Sequence, residues 1–208
     1  MFGATGCTAD GPTVWQTVGA ARRSAEAVDR QPLNPAFRYL RVTGRGQTAL
    51  LVLGYEDASA DGPIEVWYSG DRQVIRLARG RVVGASGLPV EWSGVVLPAL
   101  PPWSQLVARE APLAWERRRD VSPGYRYGLT DRLTLRPVPT GRAGTLVGYN
   151  PAALRWFEEH GAAGNLPPAR YAVDAAAPGG ATVVYGEQCL DASFCLTWQR
   201  WPPPGRAP

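Results

Sequence analysis

The sequence has no lysine: all 22 of its basic residues are arginine. That excludes a phosphate-binding loop, which needs Gly-Lys-Ser/Thr after its glycines. GC-rich coding accounts for an arginine-only composition, so the absence carries no function by itself. Histidine is nearly missing too. His160 is the single one, and no nucleophile or metal partner is visible near it. At the end of a predicted helix it suits the helix dipole. One histidine and three cysteines leave no ligand set for a transition metal. No apolar run approaches the ~18 residues that a membrane-spanning helix needs. The net charge is only +4 and no nucleic-acid-binding motif is present, so nucleic acid is excluded as a partner. The longest basic run, Arg117-Arg118-Arg119, reads as a solvated edge or loop.

What the chain does have is material for a β core. Of its 208 residues, 45% are hydrophobic, enough for one large domain. The 24 Gly and 20 Pro are spaced at intervals rather than gathered in a tract, as many short strands joined by turns require. Eight Trp and eight Tyr favour strands as well. The expected architecture is all-β and mainly antiparallel. It is a barrel-like meander with an N-terminal helix and one short helix near 150–160.

The expected domain plan is a flexible leader over 1–12, one β domain over 13–201 and a stiff Pro-rich tail over 202–208. Val14, Val18, Ala21, Ala25 and Val28 share one face and predict a helix over 13–29, stopped by Gln31-Pro32 and Asn34-Pro35. Segments 37–43 and 47–55 flank a Gly44-Arg45-Gly46 turn, and Ala49 to Leu53 is apolar throughout, as in a strand covered on both faces. Turn signals at Gly70-Asp71 and Arg79-Gly80 bracket QVIRLA and predict a meander over 61–87. Residues 86–110 are irregular, with Trp92 and Trp103 capping the core. Strands are expected over 112–119, 125–138, 169–174, 181–187 and 194–200. Asn150 as cap and Pro151 at the first position predict the helix over 150–160, ended by Gly161.

The three cysteines divide into a pair and a single. Cys189 and Cys195 flank LDASF, a spacing suited to a cross-strand disulfide closing a hairpin in an oxidising compartment. Cys7 follows Ala4-Thr5-Gly6. Small residues at those three positions make this a lipobox-like site, with Ala4 where Leu is usual. The charged and apolar parts of a signal peptide are expected upstream of it. Thr8 to Pro12 separate Cys7 from the predicted helix, a reach of at most roughly 17 Å.

Several blocks carry a family resemblance. They are Asn34-Pro35-Ala36-Phe37-Arg38-Tyr39-Leu40-Arg41-Val42, Ala49 to Tyr55, Val66-Trp67-Tyr68-Ser69 with Val74-Ile75-Arg76-Leu77, and Gly80 to Gly84 with Gly87-Leu88-Pro89. Together they resemble the YjbF/GfcB lipoproteins encoded with group-four capsule and related exopolysaccharide export genes. The close likeness covers about residues 34–93, and a looser one reaches Trp156-Phe157-Glu158-Glu159. The resemblance implies a barrel-like all-β fold and an outer-membrane lipoprotein on the periplasmic face, anchored through Cys7. It also implies a non-enzymatic accessory role in polysaccharide export, with the export machinery as partner and no cofactor.

Two further sets of residues are weighed as sites. Glu56, Asp57 and Asp61 could flank a glycosidic bond, but Ala58 to Gly62 reads as a polar turn, and the chain is not expected to be an enzyme. Trp67, Trp92, Trp103, Tyr125 and Tyr127 could stack on sugar while neighbouring Arg pairs with an anionic polysaccharide; ordinary core packing is the plainer account. A carbohydrate-binding module would show aromatic side chains exposed in a row. A carrier of a lipid-linked chain would show an apolar cavity of acyl size.

Overall fold

The computed structural model describes residues 24–140, 144–162, 164 and 166–205. The strands within them are β1 (Tyr39–Gly44), β2 (Gln47–Asp57), β3 (Ile64–Tyr68), β4 (Val74–Ala78), β5 (Arg81–Ser86), β6 (Glu91–Val96), β7 (Leu113–Ser122), β8 (Arg126–Val138), β9 (Arg155–Gly161), β10 (Ala169–Asp174), β11 (Thr182–Asp191) and β12 (Phe194–Trp201). Each is antiparallel to the next, and β12 returns to β1 with Leu40 opposite Arg200 and Val42 opposite Trp198. The sheet is thus a closed barrel whose strand order is the sequence order. Closure leaves no unpaired edge.

Turn chemistry sets the register of the first hairpins. Arg45 (φ 50) with Gly46 (φ 72), and Arg79 (φ 47) with Gly80 (φ 77), are left-handed at both central positions, the two-residue turn that matches strand twist. A Cβ on Gly80 would also lie 2.6 Å from Val183, so glycine is required there twice over. The meander expected over 61–87 is β3–β4–β5. The strands expected near 112–138 and over 169–200 are β7, β8 and β10 to β12.

Two expectations change and one is tested only over its last residues. Of the helix over 13–29, α1 (Ala25–Asp29) is present, with the Ser24 hydroxyl accepting from the Ala27 N–H; 13–23 and the leader 1–12 lie outside the described residues. The helix over 150–160 is corrected. Asn150 caps only a 3-10 turn, Pro151–Ala153, and Arg155–Gly161 is β9, held by β8 and β10 on either side. Two ladders of backbone hydrogen bonds outweigh a cap signal. His160 therefore sits on a strand beside Glu158 and Arg136, not at a helix end. The irregular stretch 86–110 contains β6 and α2 (Trp103–Leu106).

Period-two alternation puts a large apolar set inside the barrel. Leu40, Leu51, Trp67, Ile75, Trp198 and Phe157 belong to this one cluster, with Trp92, Trp103 and Trp115. Two smaller apolar clusters lie outside. One joins Leu154, Trp156, Ala172, Val184 and Tyr185; the other joins Tyr39, Val52 and Trp201. Leu51 inside and Val52 outside confirm that β2 is covered on both faces. Gln199 ties Val147 over the outer wall, donating to its carbonyl at 2.7 Å and accepting from its N–H at 2.9 Å. Pro203 is also buried, so the Pro-rich end begins packed.

Candidate functional site

The two ends of the lumen differ. One receives α2, whose Trp103 ring packs 5.3 Å from Phe157 and 5.7 Å from Tyr171, centroid to centroid. The Trp103 indole N–H donates to the Arg79 carbonyl at 2.8 Å. The other end, framed by the β7–β8 and β11–β12 hairpins, holds two adjoining cavities of about 440 and 550 Å³ that share Thr130 and Asp131.

Charge leads into this open end. On β7, Trp115, Arg117, Arg119 and Val121 are buried while Ala114, Glu116 and Arg118 are exposed. The Arg117–Arg119 run is therefore not a solvated edge: its outer members point inward, because strand alternation turns every second residue to the lumen. Asp131 lies opposite Arg117 on β8, among the inward residues Leu129, Leu133 and Leu135. It accepts four hydrogen bonds. Arg117 gives two, from Nε at 3.0 Å and Nη2 at 2.8 Å; Arg119 gives two, from Nε at 2.6 Å and Nη2 at 3.0 Å. Burial pushes the Asp131 carboxyl up, but the hydrogen bonds and charges of Arg119 and Arg117 outweigh it and hold the group below the usual carboxylate range.

Deeper in, Glu159 accepts from Arg81 Nε at 3.3 Å and stands 3.8 Å from Arg117 Nη1. Buried charges survive only when paired, and here three guanidiniums meet two carboxylates. Aromatic faces carry the surplus. Trp92 lies 4.6 Å from the Arg117 Cζ and 4.8 Å from that of Arg119, and Trp103 lies 4.6 Å from Arg81. Gln188 crosses the lumen to Val82, accepting from its N–H at 3.1 Å and donating to its carbonyl at 3.2 Å. Its Oε1 also accepts from the Tyr171 hydroxyl, whose pKa burial drives far up, helped by the Glu159 charge.

These residues were missed from sequence. The available signal was Asp131 standing in phase with Leu129, Leu133 and Leu135: an aspartate on an apolar strand face calls for inward cations, and Arg117 and Arg119 are in phase on the preceding strand.

The residues singled out beforehand divide. Trp67, Trp92 and Trp103 are 1%, 2% and 4% exposed, so they are corrected from a contact surface to interior packing. Tyr125 and Tyr127 are 75% and 71% exposed, at the tip of the β7–β8 hairpin. Cys189 and Cys195 are joined by a disulfide between paired positions of β11 and β12. Cys7 lies outside the described residues. Glu56 pairs with Arg38 and Asp57 with Arg76, each with its own cation rather than with each other.

Comparisons with known proteins agree with this geometry. The crystal structure of the hypothetical lipoprotein YmcC from Escherichia coli (K12) superposes with a TM-score of 0.60 over 90% of this chain and 91% of that one. The identity is 16%, so the likeness is one of fold. A search of curated proteins finds no match. A family model described as group 4 capsule polysaccharide lipoprotein gfcB, YjbF, matches residues 16–171, three quarters of the chain, and the protein belongs to that family.

Proposed function

We propose that the protein is a lipid-anchored, periplasm-facing component of the outer membrane that acts as a non-enzymatic accessory in capsule or exopolysaccharide export. One observation carries the reading: the large apolar cluster, with its paired charges, fills the inside of the barrel, while ion pairs stand on the outer wall. Its outer wall bears the exposed pair Arg132–Glu116 and the half-buried Glu158, which pairs with Arg136 and Arg170. Barrels that cross a membrane carry an apolar band on that face. A barrel of the present kind stands in water and needs a separate attachment. Cys7 supplies it in this proposal. Each buried CH₂ of an acyl chain contributes about 0.8 kcal/mol, and more than one chain makes attachment stable.

The filled lumen bears on how such an accessory acts. Trp67, Trp92, Trp103, Trp115 and Trp198 occupy it, so a polymer meets the outside of the barrel or its open end. Tyr125 and Tyr127, and to a lesser extent Tyr55, are the exposed aromatic side chains among the described residues that polymer or the export machinery would meet. The carrier alternative calls for an apolar cavity of acyl size. The cavity lined by Ile64, Val83, Val95 and Leu97 has about 220 Å³, below the roughly 300 Å³ at which small-ligand pockets begin, and the larger one of about 440 Å³ has Arg117, Asp131 and Glu159 in its lining, which an acyl chain would leave desolvated.

The test is deletion of the gene with measurement of surface polysaccharide, then complementation with wild type and with Cys7→Ser. The expected result is lost polysaccharide, restored by wild type, with Cys7→Ser released from the membrane fraction or left unprocessed. Unchanged polysaccharide in the deletion would refute the role. Membrane-bound, processed Cys7→Ser would refute the anchor.

A further inference from the structure

Donors and acceptors at the open end are unevenly used. Asp191 is occupied: its Oδ1 accepts from the Ser193 N–H at 2.7 Å, the Ser193 hydroxyl at 2.9 Å and the Phe194 N–H at 2.8 Å. Burial pushes its carboxyl up, yet these bonds and the Arg126 charge hold it below the usual range. Asp131 is occupied four times over by Arg117 and Arg119. The guanidinium of Arg126, by contrast, has no hydrogen bond or ion pair among the described residues, and neither has Nη1 of Arg119. Both side chains line the 550 Å³ cavity, with Thr130, Asp131, Asp191 and Ser193.

The register explains why Arg126 is there. β8 carries one extra residue relative to β7 between the pairs Arg119–Leu129 and Val121–Arg126. Gly128 takes up the bulge at φ 64, with its N–H held by Asp120 at 2.7 Å. Counted by twos from inward-facing Leu129, Arg126 would face outward; the bulge reverses the alternation and puts it on the side of inward-facing Val121.

We infer that this cavity binds the carboxylate of an acidic sugar residue, between Arg126 and Nη1 of Arg119. The saccharide part of the assignment rests on the proposed role in polysaccharide export; the anionic part rests on the unspent guanidinium donors. Asp131 fixes Arg119 in place so that its remaining N–H groups are presented without reordering. The free Oδ2 of Asp191 is left to accept from a sugar hydroxyl. A singly charged carboxylate fits better than phosphate. Two guanidiniums face two aspartates in the lining, and a dianion would add repulsion from Asp131 and Asp191. The cavity volume lies within the roughly 300–1,000 Å³ range of small-ligand sites.

The experiment is an NMR titration of the full chain at low salt with D-glucuronate, D-glucose and inorganic phosphate, following Arg Nε–H groups and backbone amides. Glucuronate is expected to bind in the millimolar range and to shift Arg119, Arg126, Gly128 and Ser193. Arg126→Ala, at an exposed position with no bond to lose, should weaken it at least ~10-fold, and glucose should leave these signals in place. Three results would overturn the inference: no shifts with glucuronate, equal binding by Arg126→Ala, or equal binding of phosphate at the same residues. Because the assay is independent of the deletion experiment, a failure here with polysaccharide still lost on deletion would remove the site and leave the proposed role standing.

Discussion

The two ends of the barrel are finished by opposite means. The closed end is stopped by an aromatic plug, Trp103 on Phe157 and Tyr171, with the Arg81 guanidinium stacked against Trp103 and shut away from solvent. The open end is held by charge, two arginines on one aspartate, beside cavities that reach the surface. Both arrangements close a core, and both leave a guanidinium N–H without a partner: Arg81 Nη2 is sealed under the plug, whereas Arg126 and Arg119 line a cavity open to the surface. The difference teaches where to look for work in this family member: the side that is expensive to bury is the side that can bind.

Mutations at the two ends should separate stability from binding. The largest loss is expected from Trp103→Ala, which empties the plug and should cost about 3–5 kcal/mol, read as a lowered denaturant midpoint. Asp131→Ala should cost about 3 kcal/mol, the low end for a broken buried pair, because the adjoining cavities admit water to Arg117 and Arg119. If Asp131→Ala matched wild type in stability, the charged layer would not be holding the open end together. Reducing the Cys189–Cys195 disulfide should cost roughly 2 kcal/mol, as its loop is short, and should loosen the β11–β12 hairpin first in hydrogen exchange. The smallest effect is expected from Tyr125→Ser with Tyr127→Ser, within about 0.5 kcal/mol.

Acid should act on the open end before the plug. The Asp131 carboxyl is held below its unfolded value of about 3.9 by Arg119 and Arg117. Its stabilisation is complete above that value and is lost as the pH falls through the lower folded one. A denaturation series between about pH 6 and pH 2 should show this loss in wild type and a shallower slope in Asp131→Ala.

Much of the wall was legible in the sequence. Turn residues with fixed backbone preferences bracket β3 to β5, and alternation marks β7, β8 and β12, because both are local properties. The helix expected over 150–160 failed because Asn150 and Pro151 do signal a start, but the partners that turn 155–161 into a strand are remote. The contact residues failed in a similar way. Trp67, Trp92 and Trp103 are aromatic wherever they lie, and only closure of the barrel decides that they face inward. Arg117 and Arg119 were hidden by a run of three arginines that looks solvated until the strand is given a period of two. The bulge at Gly128, which brings Arg126 to the cavity, depends on pairing with β7.

The claim that the open end is the working end is tested most directly in the cell. A deletion strain would be complemented with wild type, with Arg126→Ala and with Glu116→Gln as an outer-wall control, each at matched protein level, and surface polysaccharide would be measured. The account predicts that Arg126→Ala accumulates normally yet restores markedly less polysaccharide than wild type. Full restoration by Arg126→Ala would contradict it.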